Sequence, residues 1–488
     1  MASHPHPHVR RTLLAVAASL SALVAVVAAV TMGAYFWTRS QIEVIGPPPA
    51  SATGSTAGEP DIAGVCDERA CNYLLLGSDS RSGLTPEEQE RFGTDEDIGG
   101  ENRSDTIILV HTEPDQKQAT FLSFPRDLWV DIPGMGQGRI NTAFDGGIEG
   151  NGAYRVARTI RNLTGLRINH VMYVDLAGFQ NVVDTLGGVD LCIPSYQVNT
   201  PGWLTQHTGD GGVTSVYYGE PGHIADPNTG LDVTPGCQRL DGSTALAYVR
   251  TRQLPCDSIP DFARIGRQQQ FLRAVISELL SPSRLLALTN LVPDLLGNVV
   301  VDEGLRNPAE LVYLAGTLQG VNTGAADFRS VPSVPEGITV DGQYLSVVRA
   351  VEPDATRLFR RIGEGLPLGD LGKNLPQVPP SPATIAVAVA GPNAAAAPVF
   401  DVLTEGGFNT AAGIVGRGEV DSPVRGAVIV YREGLESEAK VVGSYAGGLE
   451  LVPVPASALP DGVDVAVVAN AAYEIPPPDT SGGQECPS

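Results

Sequence analysis

Lysine is almost missing from this chain. Lys117, Lys373 and Lys440 are the only three among 32 basic residues, set against 55 acidic ones. The net charge of −23 excludes a nucleic-acid binder, which needs a basic face. Nearly every cation is an arginine, for which codon bias in a GC-rich genome is the plain reason. Abundance therefore carries no argument; only position does. Histidine is scarce too: of seven, His4, His6 and His8 precede the first apolar run, while His111 and His170 sit in apolar strand contexts that suit structural roles. No Cys-x-x-Cys pair is present and no histidine cluster lies near the cysteines, which argues against zinc. The Gly-x-Ser-x-Gly elbow, the Gly-x-x-x-x-Gly-Lys phosphate loop and the His-Glu-x-x-His helix are also missing, so serine-hydrolase and nucleotide-hydrolase chemistry is disfavoured.

Charge is absent altogether from residues 12–38, a run of 27 rich in Ala, Val and Leu. About 20 apolar residues cross a bilayer as a helix. A signal peptide has a shorter apolar region, so an uncleaved single span is the expectation. Arg10 and Arg11 precede the run and acidic sequence follows, which keeps the N-terminus cytoplasmic and puts the body outside. Six cysteines suit an oxidising compartment. Cys66 and Cys71 can close a short loop, a Cys192–Cys237 bridge would pin a long polar excursion, and Cys256 and Cys486 are left over; spacing alone does not fix the pairing.

What is present is globular: 42% hydrophobic residues and 18% charged, over 488 residues, enough for two folded units. The expected division is a cytoplasmic tail at 1–11, a transmembrane helix at 12–38, a linker at 39–65, a main unit at 66–363, a linker at 364–382, a second unit at 383–473 and a tail at 474–488. In the main unit, short apolar runs near 73–76, 106–111, 119–123, 170–174, 189–193 and 328–331 read as strands. Helices are expected at 154–163, 176–186, within 240–252, at 261–280 (with Asp261 as N-cap), 282–296, 308–318 and 344–362. An acidic insertion at 85–102 and an excursion at 199–233 read as loops, the latter a lid or a rest for an acceptor. Alternating strands and helices predict an α/β/α sandwich with a mixed central sheet. The second unit reads as a small β-α-β-α-β fold with no His and no Cys, a binding or spacing module.

Around the first three strands, Asp79-Ser-Arg81, Arg103-Ser-Asp105 and Arg126-Asp127 repeat one pairing at strand ends. A lone Arg–Asp neighbour pair is usually a surface ion pair of little worth. Three in one sheet region are less ordinary. Asp79 and Asp105 are candidates to hold Mg2+, which needs only one or two protein carboxylates when substrate phosphates complete its shell. A second arginine cluster, Arg250, Arg252, Arg264 and Arg267, lies near Gln268, with Arg264 and Gln268 on one helix face. Fixed guanidinium groups grip a pyrophosphate and stabilise the charge that builds on its leaving half. For Arg267 a solvated helix face is an equal alternative.

Together these motifs resemble the LytR-CpsA-Psr family of cell-wall glycopolymer transferases. The residues that carry the resemblance are Leu-Leu-Leu-Gly-Ser-Asp79-Ser-Arg, Arg103-Ser-Asp105-Thr, Ser-Phe-Pro-Arg126-Asp127, Arg139-Ile-Asn141, Tyr-Val-Arg250-Thr-Arg252 and Asp261-x-x-Arg264-x-x-Arg267-Gln268. The second unit is similar to the LytR C-terminal module, though it opens on Ala390-Gly391-Pro392 rather than an Asn-Gly-rich turn. The resemblance implies transfer of a glycan phosphate from a polyprenyl-pyrophosphate carrier to a peptidoglycan hydroxyl, arabinogalactan being one such glycan. It assigns Mg2+ to Asp79 and Asp105, and the pyrophosphate grip to Arg103, Arg126, Arg250, Arg252, Arg264 and Gln268. It puts Arg103, Arg126 and Asp127 at the reacting centre, Asp127 either orienting Arg126 or taking the hydroxyl proton. Two other classes stay open: a non-enzymatic wall-binding or regulatory protein, and a lipid-carrier pyrophosphatase with water as acceptor.

Overall fold

The computed structural model describes residues 42–46, 61–66, 70–78, 103–113, 118–194, 197–198, 202–207, 213–218, 222–252, 256–257, 259–279, 297–307, 326–340, 342–373, 379–380, 382–447 and 449–470, with a few isolated positions between them. The predicted transmembrane run, the 85–102 insertion, the predicted helix at 282–296, Asp79 and Cys486 lie outside these. Among the described residues no helix is long and apolar enough to cross a membrane.

Three strands form the spine: β1 (Cys71–Ser78), β2 (Ser104–Glu113) and β3 (Gln118–Phe124). They pair antiparallel with Leu74 opposite Leu109 and Leu109 opposite Leu122. A short hairpin, β4 (Trp129–Ile132) and β5 (Gly136–Arg139), follows. Then come α1 (Gly152–Thr164), β6 (His170–Val174), α2 (Leu176–Thr185) and β7 (Val189–Ile193). The excursion holds two hairpins, β8 (Gly202–His207) with β9 (Val213–Tyr218), and β10 (Ile224–Asp226) with β11 (Leu231–Val233). β12 (Gly236–Leu240) leads into α3 (Gly242–Arg250), capped by the Asp241 carboxylate accepting from Thr244 N, and then into the long α4 (Pro260–Leu279). β13 (Val300–Val301) and β14 (Ala326–Ser330) complete a mixed six-stranded sheet in the order β13-β6-β1-β2-β3-β14.

The two-residue period of the strands decides the layers. Leu74, Leu76, Ile107, Leu109 and Leu122 face one way, onto Val156 and Ile160 of α1. Tyr73, Ile108, Val110 and Phe121 face the other, toward Ile276 of α4. This is the expected α/β/α sandwich. His111 and His170 are buried as expected of structural histidines: His111 hydrogen-bonds Asn72 and Glu113, and burial lowers its pKa, while His170 pairs with Asp302.

Several expectations are corrected. The run predicted as one helix over 344–362 is β16 (Gln343–Ala350), paired with β15 (Ser333–Val340), and only then α5 (Asp354–Gly363). Gly342, at φ +80°, makes the hairpin turn, and β-branched Val347 and Val348 favour the strand. The expected linkers are partly folded. Ile42 and Ile45 are buried, with Ile45 N donating to Val301 O, and Gly372 O accepts from Ser330 N. Cys66–Cys71 and Cys192–Cys237 are disulfides, and Cys256, left over by spacing, is disulfide-bonded as well.

The second unit has β17 (Val387–Ala390), α6 (Asn393–Glu405), β18 (Ile414–Val415), β19 (Val428–Arg432), α7 (Glu436–Tyr445), β20 (Leu451–Val454) and β21 (Val465–Val468). Its sheet order is β18-β17-β21-β19-β20, two strands more than the sequence suggests. It leans on the first unit at Gly407, whose φ of +80° and tight approach both require glycine: a Cβ there would lie 2.2 Å from the Cys192 Cβ.

Candidate active site

The register of the central hairpin assembles the first half of the site. Ile107 pairs with Phe124, so continuing by two residues puts Asp105 opposite Arg126. Arg126 Nη1 donates to Asp105 Oδ2 at 2.9 Å. Beside them β1 ends in a bulge at Gly77/Ser78, where a Gly77 Cβ would press to 3.0 Å against Thr106. Ser78 and Thr106 thereby join Asp105 on one wall.

The first two turns of α4 supply the second half. Asp261, Arg264 and Gln268 follow one another at helical spacing on one face. Arg264 Nη1 lies 3.4 Å from Asp105 Oδ2, and Gln268 Nε2 donates to Thr106 Oγ1 at 2.9 Å. Below Gln268 the same side of the helix turns apolar with Phe271, Leu272 and Val275. The helix is thus polar at its mouth end and greasy further in.

Asp261 is not the expected N-cap. The helix begins at Pro260, and the Asp261 carboxylate lies 3.4 Å from Arg126 Nε, 3.5 Å from Arg252 Nη1 and 3.3 Å from Arg264 Nη2. It gathers three arginines from three segments.

The cavity between these walls has a volume of about 530 Å3. Arg250, Arg252, Arg264, Gln268 and Asp105 line its polar end. Leu75, Ile108, Met172, Phe179, Phe271 and Val275 are among the residues lining the rest. Concave, mostly apolar sites with a few convergent polar groups are the common form of a ligand pocket. Asp226, Asn228 and Thr229 of the β10–β11 turn also line it, which nothing in their sequence spacing suggested.

The electrostatics favour an anion. Arg264 is only 4% exposed, burial lowers its pKa against the pull of Asp105, and its Nε is buried without a hydrogen-bond partner. A guanidinium nevertheless keeps its charge, so Arg264 stands as a buried cation on the cavity wall. Burial also opposes the Arg126 charge, but Asp105, Asp261 and Asp127 together outweigh it and raise its pKa. Asp127 flanks the cluster, 3.4 Å from both Arg126 Nε and Arg139 Nε; burial pushes its pKa above the ordinary value despite the two arginines.

Arg103, expected at the reacting centre, and Arg267, left open between pocket and solvent, are not part of this arrangement. Arg103 is exposed at the entry to β2 and does not line the cavity. Arg267 is neither a solvated nor a pocket arginine: it is 3% exposed and held bidentately by Asp257 at 2.9 and 2.8 Å. Asp79 lies outside the described residues. The carboxylate of Asp105, next to the hydroxyls of Ser78 and Thr106, offers the hard oxygen donors that Mg2+ takes, but a cation would share it with Arg126 and Arg264.

The chain is 36% identical over 250 residues to a probable cell wall biosynthesis protein, LcpB, of Corynebacterium glutamicum, covering 51% of this chain and 49% of that one. It is 31% identical over 236 residues to a polyisoprenyl-teichoic acid–peptidoglycan teichoic acid transferase, TagU, of Oceanobacillus iheyensis, covering 48% and 59%. The chain therefore spans about half the length of these relatives. The crystal structure of Bacillus subtilis TagV aligns with 62% of this chain and 98% of its own, at 21% identity and a TM-score of 0.44. The sequence pattern of the LytR_cpsA_psr family matches residues 51–358, more than half of the chain, and the chain belongs to that family.

Proposed function

We propose that this protein is a phosphotransferase that moves a glycan phosphate from a polyprenyl-pyrophosphate carrier to a hydroxyl of peptidoglycan. The observation that carries this reading is one ion-pair cluster, Asp105 with Arg126 and Arg264, and Asp261 with Arg126, Arg252 and Arg264, of which Asp105, Arg252 and Arg264 line an otherwise mostly apolar cavity. A prenyl chain suits the apolar part and a pyrophosphate the arginines. The names of the relatives point to the same substrate class: TagU is called a polyisoprenyl-teichoic acid–peptidoglycan transferase.

In this reading the acceptor oxygen forms a bond to the glycan-side phosphorus. The bond from that phosphorus to the bridging oxygen breaks, and the bridging oxygen departs on prenyl phosphate. Arg126, Arg252, Arg264 and Arg250 neutralise the charge gathering on that leaving oxygen, with Gln268 as a neutral donor. The hydroxyl proton passes to Asp127, whose raised pKa suits a base. Mg2+ held by Asp105 with Asp79 would supply further neutralisation of the pyrophosphate. Residues 12–38 would anchor the chain, with the catalytic unit outside, and arabinogalactan is the glycan the resemblance argues for.

The test uses the full-length chain in detergent micelles, a synthetic farnesyl-pyrophosphoryl disaccharide and soluble peptidoglycan fragments, with Mg2+ or with EDTA. A phosphodiester-linked product by mass is the expected result. Free glycan phosphate alone would make the protein a carrier pyrophosphatase, and tight binding without product a wall-binding protein.

A further inference from the structure

Thr251 stands between two cavity arginines, Arg250 at the end of α3 and Arg252 just beyond it. It is completely buried. Its hydroxyl donates to the Asp226 carboxylate, and its carbonyl accepts from Arg267 Nη2 at 2.5 Å. Arg267 is in turn clamped by Asp257, which also accepts from Leu254 N at 3.1 Å. Asp226 is itself fixed, accepting from Asn228 N at 3.0 Å. One threonine is thus held from both sides by buried charged groups from two other segments.

Burying these charges is expensive, and for stability alone an apolar cluster of equal size does as well or better. The arrangement has another consequence. Thr251 is the C-cap residue of α3, at φ −61° and ψ 145°, where the chain turns from helix to extended. In a continuous helix, residues two apart, as Arg250 and Arg252 are, would point about 200° apart, to nearly opposite sides. The break at Thr251 lets residues on both sides of it line one cavity. We infer that Asp226 and Arg267 are positioning residues, which lock Thr251 and through it aim Arg250 and Arg252 at the pyrophosphate. This rests on the transferase reading and deepens it: the polar excursion contributes a hold on the arginine turn.

The test is a double-mutant cycle in the full-length chain, reading both farnesyl diphosphate affinity and transfer. Thr251→Val keeps the shape and removes the hydroxyl. It should lower kcat/KM by roughly tenfold to a hundredfold, the scale set by misplacement of a catalytic group by about 1 Å. Thr251→Ser should restore most of the loss. In an Arg252→Ala background the Thr251→Val penalty should shrink several-fold, because the two substitutions then act on one interaction. Equal penalties in both backgrounds, or wild-type activity in Thr251→Val, would overturn the inference. Should the wild type bind farnesyl diphosphate yet transfer nothing, the transferase reading fails, and the cycle in binding affinity still decides the role of Thr251. No binding at all removes both.

Discussion

The six-stranded sheet of the first unit and the five-stranded sheet of the second are both mixed, and both carry helices over ladders of Val, Leu and Ile. They differ in what else is inside. The first unit buries Arg264, Arg267, Asp226, Asp302 and Arg329. Among the described residues the second unit buries no charged side chain, and its ion pairs, such as Arg432–Asp464, lie at the surface. Burying a charge costs several kcal/mol even when it is paired. Two of these charges, Asp226 and Arg264, line the cavity, and Arg267 holds Thr251 between two of its arginines, whereas Asp302 and Arg329 pair with His170 and Asp327.

The comparison breaks most sharply if the two units respond alike to loss of an arginine. Arg264→Ala should reduce transfer on the order of 10²-fold or more, as removal of one fixed charge-stabilising donor does. Arg432→Ala, at an exposed ion pair, should leave the rate within about twofold, since such pairs are worth little. Equal effects in the transfer assay would dissolve the distinction. A smaller effect comes from pH. Asp127 has its pKa raised by burial, so the acidic limb of the kcat/KM profile should fall above the ordinary carboxylate value of about 3.9. The sign for stability is opposite. A carboxyl with a higher pKa in the folded state binds its proton more readily there, so its charge opposes folding above that pKa. Asp127→Asn should therefore abolish the acidic limb and most activity without lowering the melting temperature at neutral pH. A lost melting temperature would make Asp127 structural.

The sequence carried the outline of the first unit because its strands are apolar runs with turn residues at their ends, and because Arg–Asp pairs recur at those ends. It did not carry the role of Asp261. A carboxylate at the start of a helix reads as a cap locally, and only the packing of three segments reveals three arginines around it. Arg267 was ambiguous for a related reason: its partner Asp257 is ten residues back, outside any helical spacing, so burial could not be inferred. The apolar pattern at Gln343–Ala350 fits either period, and its partner β15 contains Pro335 and Gly337, poor strand formers, so the strand is not legible there. Thr251 had no signal at all. Its importance lies in a hydrogen bond to Asp226, 25 residues away.

The smallest effect separates stability from function. Ile429 of β19 is fully buried in the second unit, between β20 and β21. Ile429→Val removes one methylene from a packed core, which typically costs about 0.5–1.5 kcal/mol. In the first unit, Ile108→Val removes the same group from the wall of the cavity, which Met172 and Phe271 also line. Space opened there is accessible to a ligand tail rather than closed by protein. The expected outcome is a pair of opposite signatures. Ile429→Val lowers the denaturant midpoint and leaves farnesyl diphosphate affinity unchanged. Ile108→Val changes that affinity more than it changes the midpoint. If both substitutions move only the midpoint, the cavity wall is ordinary core and the apolar end holds no tail.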